Sequence, residues 1–241
     1  MFLGRRDGRF PRSPGCLAAD ADKRVQCAGM TAVIFDLDNC LAPATAVGEA
    51  LYGPAFAAIR NANDGRVAAD ALAAAFRQMW THAYDWVADR YGFTPAMRAA
   101  GWRALVQIEV TGPLAGYGDL NLLASVPGER FLVTTGLRRL QESKIRGLGI
   151  AAQFREIFID AIDEPRRLGK AALFQHILVR YDLKPTDVVV VGDNPDSELA
   201  AARQVGLRAV QMLRPDVVRS EATAECVRDL RELIRWLAAN T

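Results

Sequence analysis

Residues Thr31 to Pro43 read TAVIFDLDNCLAP, and this stretch decides the fold. Ala32, Val33, Ile34 and Phe35 are apolar without a break. A strand covered on one face alternates apolar with polar residues, whereas one covered on both runs apolar throughout. Thr31–Leu37 is therefore expected to be a central strand of a parallel sheet. Asp36 and Asp38 interrupt the run at its carboxyl end, and their i, i+2 spacing sets both on one side of an extended backbone. Open parallel sheets bind ligands at that end of their strands.

Downstream of Pro43 the period changes. From about residue 49 to 109 apolar residues recur at helical spacing. Ala68–Met79 carries Leu72, Ala75, Phe76 and Met79 on one face, and Pro95–Glu109 has proline in its first turn. Strand-like runs then return at Arg130–Thr134, Glu156–Asp160, Asp187–Val191 and Leu207–Val210. Between and after them the pattern predicts helices at Leu137–Leu148 (closed by Gly149), Lys170–Tyr181, Pro195–Val205 (ended by Gly206) and Ala224–Ala238. Alternation of this kind predicts an α/β fold: a doubly wound, Rossmann-like parallel sheet with helices on both faces. Residues 31–43 and 113–241 make the core. Residues 44–112 are an inserted α-helical cap, expected to lie as a lid over the strand ends.

Residues 1–30 are rich in Gly, Pro and Arg and show neither period, and a disordered N-terminal extension is expected. They hold six Lys/Arg and three Asp, net +3, within a chain of net +2, which leaves −1 for residues 31–241. The basic balance therefore belongs to the extension, and the remainder has no cationic excess to follow a nucleic-acid backbone. No apolar run reaches the ~18 residues that a membrane-spanning helix needs, so no membrane partner is expected. Four cysteines without C-x-x-C spacing and only two histidines suggest neither zinc nor a disulfide framework; a reducing, cytoplasmic compartment fits. Oligomeric state is not legible.

The residues just past each strand are the chemically telling ones. They are Asp36 and Asp38; then Thr134, Thr135 and Gly136; then Lys170 at a helix start; then Asp193, Asn194 and Glu198. All should meet at one rim. Carboxylates gathered there repel one another unless a divalent cation joins them. A lysine and a threonine beside free N–H groups make a cradle for phosphate. Together these features describe metal-assisted phosphoryl transfer.

FDLDNCL, LVTTG, GKAALF and VVGDNPDSEL resemble, in order and spacing, the four motifs of the haloacid dehalogenase (HAD) superfamily. The resemblance implies a Mg²⁺-dependent phosphatase acting on a small-molecule phosphate ester through an aspartyl-phosphate. It casts Asp36 as nucleophile and Asp38 as general acid/base. Thr134 would bind the transferring phosphoryl, aided by the N–H groups of Thr135 and Gly136, with the Thr135 hydroxyl as an alternative. Lys170 becomes the fixed cation, with Lys144 as a rival that better suits a helix C-terminus. Asp193 becomes a metal ligand with Asp36 and the backbone carbonyl of Asp38, while Glu198 takes an outer or direct position and Asn194 contacts the metal's waters.

Alternatives remain within the same pattern. Dehalogenating relatives lack the second aspartate, and phosphonate-cleaving ones use a cap lysine, of which residues 44–112 have none. A phosphomutase keeps all four motifs. A phosphorylatable receiver lacks the helical insertion, and a non-catalytic binding module would not need the full acidic set. His82, near Trp80, Tyr84 and Trp86, reads as a packed histidine, and the cap arginines as solvated. The family usually has Thr where this chain has Cys40, so some loss of stiffness is expected in the loop that carries Asp38.

Overall fold

The structure, a computed structural model, describes residues 32–223 and 225–240. The expected N-terminal extension lies outside them. Six strands form one sheet: β1 (Ala32–Phe35), β2 (Glu129–Gly136), β3 (Glu156–Ala161), β4 (Val188–Gly192), β5 (Arg208–Met212) and β6 (Glu225–Val227). They are all parallel, in the order β3-β2-β1-β4-β5-β6. β1 and β4, the two central strands, are buried at every residue, as their unbroken apolar runs require.

The pleat divides each strand between two cores. Val33, Phe35, Leu132, Val189 and Val191 face α5 (Arg138–Leu148) and α8 (Leu230–Ala239). Ala32, Ile34, Phe131, Val133, Val188 and Val190 face α6 (Lys170–Arg180) and α7 (Glu198–Val205). This parity fixes which helix each residue at a strand end meets. α5 ends, as its sequence predicts, at Gly149 in the left-handed region.

Between β1 and β2 the chain forms α1 (Glu49–Asn61), α2 (Ala69–Gln78), α3 (Tyr84–Arg90) and α4 (Pro95–Leu105). Thr94 caps α4 by accepting a hydrogen bond from the Met97 N–H, and Pro95 opens it. These helices bury a core of their own, with Ile59, Phe76, Val87 and Met97 among its members. Leu137 and Leu140 of the sheet side join that core. Polar ties at the same seam run from Arg139 and Arg146 to Glu109, and from the Val110 N–H to Ser143 Oγ.

The C-terminal segment differs from its sequence pattern. In place of one helix over Ala224–Ala238, residues 225–227 form β6, which pairs with β5 at Cys226↔Gln211 and Val227↔Met212. Pairing there covers what would otherwise be an open sheet edge. The helix begins only at Leu230, where the Asp229 carboxylate accepts from the Glu232 N–H. α7 likewise starts at Glu198 and not Pro195. Residues 193–197 are instead tied into a loop by Asn194 N–H to Glu198 Oε1 (2.6 Å) and Asp196 N–H to Asn194 Oδ1 (2.9 Å).

Gly101 marks the tightest point of the helical block. A Cβ there would overlap the Tyr84 hydroxyl, which donates to the carbonyls of Met97 and Arg98, and would press on Ile59. Gly101→Ala is therefore expected to destabilise the protein by about 1–3 kcal/mol despite alanine's better helix propensity. Chemical denaturation measures this, and an unchanged or raised midpoint would contradict it.

Candidate active site

All the strand-end residues expected from the sequence line one cavity of ≈ 350 Å³ between the sheet and the helical block. Strand parity sorts them into two groups. Asp36 continues the Ala32–Ile34 side of β1 and meets α6 and α7. Lys170 Nζ, at the first residue of α6, donates to Asp36 Oδ1 (2.9 Å) and to Glu198 Oε2 (2.8 Å). One oxygen each of Asp36, Asp193 and Glu198 lies within 4.8 Å of the others. Gly192 makes room for this, since a Cβ there would collide with the Glu198 carboxylate.

The other group faces α5. After Phe35 the chain curls so that the N–H groups of Cys40, Leu41 and Ala42 all point to the Leu37 carbonyl, with Asn39 at φ 54°. Asp38 is thereby turned toward α5. Lys144 Nζ donates to both its carboxylate oxygens (2.9 and 3.0 Å), and Gln141 Nε2 donates to Oδ2 (2.9 Å). The same Gln141 amide reaches Thr134 Oγ1 (2.7 Å). Gly136 lets it in, because a Cβ at Gly136 would stand 3.0 Å from Gln141 Cγ.

The two threonines separate by parity. Thr134 is buried on the α5 side with Asp38. The Thr135 hydroxyl turns to the α6 side and donates to Asp160 Oδ2 (3.4 Å). Asp160 also accepts from Arg167 Nε (2.8 Å) and the Gly169 N–H (2.9 Å), which sets the start of α6 and so the place of Lys170. Asn194 lines the same cavity, its N–H donating to Glu198 Oε1 and its side-chain oxygen accepting from the Asp196 N–H.

Sequence reasoning assigned Lys144 to a helix C-terminus; the structure corrects this by burying it at 5% exposure against Asp38. The signal was present: Gln141 and Lys144 share the helical stripe of Leu137, Leu140 and Leu148, where a polar pair is out of place. Arg214 was also missed. Its Nε donates to the Cys40 carbonyl (2.8 Å), its Nη1 pairs with Asp119 (2.9 Å), and its guanidinium lies over the Tyr117 ring. None of Arg60, Arg66, Arg77, Arg90, Arg98 and Arg103 lines the cavity. His82 does, stacked on Trp86 at 4.0 Å and kept toward its neutral form chiefly by partial burial.

Electrostatics at the site are those of crowded, buried acids. Burial pushes the Asp36 carboxyl up to about 7; Lys170 pulls it back, while Glu198 and Asp38 push it further. Asp193 rises to about 8 through burial, then repulsion from Glu198 and Asp36. Burial alone would lower Lys170, but Asp36 and Glu198 outweigh it and hold the ammonium above its ordinary range. Excess negative charge on hard oxygen donors fits a divalent cation such as Mg²⁺, for which Asp36, Asp193 and Glu198 could supply ligands.

A family profile for haloacid dehalogenase-like hydrolases matches residues 30–206. The chain belongs to that family and is a HAD-like hydrolase. A phosphoserine phosphatase of Thermus thermophilus is 35% identical over 108 residues, a match spanning 42% of this chain and 41% of that protein. The chain thus spans less than half the length of that relative. Among solved structures, the magnesium-bound HAD-hydrolase YfnB of Bacillus subtilis is similar at TM-score 0.60 and 17% identity, covering 87% of this chain and 99% of that one. The L-2-haloacid dehalogenase of Xanthobacter autotrophicus is similar at TM-score 0.53 and 14% identity, covering 88% and 100%. At these identities the structures share a fold.

Outcomes are expected for the buried acids and for Cys40. Carboxyls raised in the folded state bind protons that the unfolded chain has already lost, so the metal-free protein should lose stability as pH rises from about 4 to about 8. Mg²⁺ should restore it most at the upper end, which thermal melts with EDTA or Mg²⁺ at pH 5, 6, 7 and 8 will read. For Cys40, the buried thiol donates to the Val191 carbonyl at 3.6 Å, and burial holds it well above its ordinary pKa. With Arg214 gripping the same loop, Cys40→Thr should shift stability by less than about 1 kcal/mol. Native Cys40 should also resist iodoacetamide at pH 8 in peptide mapping.

Proposed function

We propose that this protein is a Mg²⁺-dependent phosphatase that hydrolyses a small phosphate monoester through an aspartyl-phosphate on Asp36. One observation carries the reading. Two carboxylates share one cavity but have different company: Asp36 sits with Lys170 and the metal-capable acids, while Asp38 stands apart with Lys144, Gln141 and Thr134. A nucleophile and an acid/base need that division. Dehalogenation would have no use for Asp38. The aligned stretch of the Thermus relative, named a phosphoserine phosphatase, supports the phosphatase class.

In the first step an Asp36 carboxylate oxygen attacks phosphorus and the bond to the leaving oxygen breaks. Asp38 supplies the proton that the leaving oxygen takes up. In the second step water attacks the aspartyl-phosphate, Asp38 takes its proton, and Asp36 is released with phosphate. In this reading Thr134 Oγ1 and the N–H groups of Thr135 and Gly136 bind the phosphoryl oxygens. Lys170 carries positive charge beside Asp36 throughout. Bound Mg²⁺ would offset charge on the phosphoryl oxygens and on Asp36, Asp193 and Glu198.

The helical block, in this reading, is the cap that selects the leaving group. Tyr52, Met79, Trp80, Trp86 and His82 line its side of the cavity. Purified protein with Mg²⁺ should hydrolyse 4-nitrophenyl phosphate, and a panel of O-phosphoserine, nucleoside monophosphates and sugar phosphates should identify the preferred ester. Asp36→Asn should lower kcat by at least about 10³-fold, and EDTA should have a comparable effect. Full activity in the Asp36→Asn variant would sink the assignment.

A further inference from the structure

Lys144 and Gln141 have no part in the mechanism above, yet they are the least exposed polar side chains on α5 apart from Ser143. Between them they engage both oxygens of Asp38 through three hydrogen bonds of 2.9–3.0 Å. Their i, i+3 spacing puts them on one stripe of the helix. Gln141 Nε2 also bonds Thr134 Oγ1 and the Thr135 carbonyl, so one amide joins Asp38 to the end of β2. α5 is itself pinned from outside by Leu137 and Leu140 in the cap core and by the Ser143–Val110 bond.

Asp38 is a half-buried aspartate on a tight turn, and without this clamp it would be free to rotate about two side-chain bonds. Proton transfer to a leaving oxygen needs the carboxyl within hydrogen-bond reach of it. We propose that Lys144 and Gln141 are positioning residues that hold Asp38 on the leaving-group side of the cavity and register it against Thr134, where the phosphoryl binds. This deepens the phosphatase reading and rests on it. The ammonium supplies a bidentate anchor, and the amide sets the distance between the acid and the phosphate cradle. A basic leaving group, which needs its proton early, then depends on the clamp; a stable phenolate does not.

The test compares two aryl esters that differ by one para-nitro group, phenyl phosphate and 4-nitrophenyl phosphate, in the full-length protein with Mg²⁺. kcat/KM isolates the step in which the leaving group departs. Lys144→Met should lower kcat/KM on phenyl phosphate by about 10²-fold, and on 4-nitrophenyl phosphate by less than about 5-fold. Lys144→Arg, which keeps a cation, should stay within about 5-fold of wild type on both. Gln141→Leu leaves every charge in place and should show the same selectivity as Lys144→Met; it carries the comparison if that variant does not fold. Equal losses on the two esters, or none, overturn the clamp while leaving the phosphatase reading intact. Wild-type protein inactive on both overturns that reading and the clamp with it.

Discussion

The contact on which the rest of the site depends is Lys170 Nζ, buried between Asp36 and Glu198. Three acidic side chains converge at the ends of β1 and β4, and each has lost most of its water. An unpaired charge in such a place costs several kcal/mol. Among the described residues Lys170 is the one cation that pairs with Asp36 and Glu198, and it must sit at the first turn of α6 to reach. Asp160 fixes that start by accepting from the Gly169 N–H, and Arg167 holds Asp160 in turn. The chain of dependence therefore runs from a buried aspartate at the end of β3, through a helix start, to Asp36.

Strand parity explains how one rim keeps two carboxylates from doing the same job. Asp36 stays in phase with Ile34 and is delivered to the α6–α7 face, where the other metal-capable acids are. Past Leu37 the backbone turns, and Asp38 is handed to α5 instead. Thr134 shares the phase of Leu132 and so arrives on the Asp38 side, while Thr135 shares that of Val133 and leaves for Asp160. A one-residue slip of β2 would exchange the two hydroxyls, and with them the partner that Gln141 meets.

Much of this was legible in the sequence because it follows from periods. Unbroken apolar runs gave β1 and β4, and helical stripes gave α2, α5 and α6. The acids, Thr134 and Lys170 could be gathered at one rim because parallel strands end together. What the sequence hid were features set by tertiary pairing. Glu225–Val227 lacks a run long enough to read as a strand and exists because β5 has an open edge. Lys144 sits four residues from the C-terminal end of α5, where a cation ordinarily meets the helix dipole; only the arrival of Asp38 from β1 buries it. Arg214 is separated by 174 positions from the Cys40 carbonyl it grips, so no local pattern could link them.

The same contacts bear on how the cavity is covered. The helical block covers the cavity, and its seam with the sheet joins an apolar wedge, Leu137 and Leu140, to a few ion pairs. One of these, Arg167 to Asp85 of α3 at 2.9 Å, closes directly beside the cavity. Both partners remain partly exposed, so the pair is worth no more than about 1 kcal/mol. Arg167 loses nothing essential when Asp85 leaves, because its Nε keeps Asp160 and the start of α6 in place. Among the described residues the side-chain hydrogen bonds of Lys144, Gln141 and Lys170 go to residues of the sheet side. Losing the Arg167–Asp85 pair would thus break no hydrogen bond of the Lys170 bridge or of the grip on Asp38, whereas parting the Leu137–Leu140 wedge would pull on α5 itself.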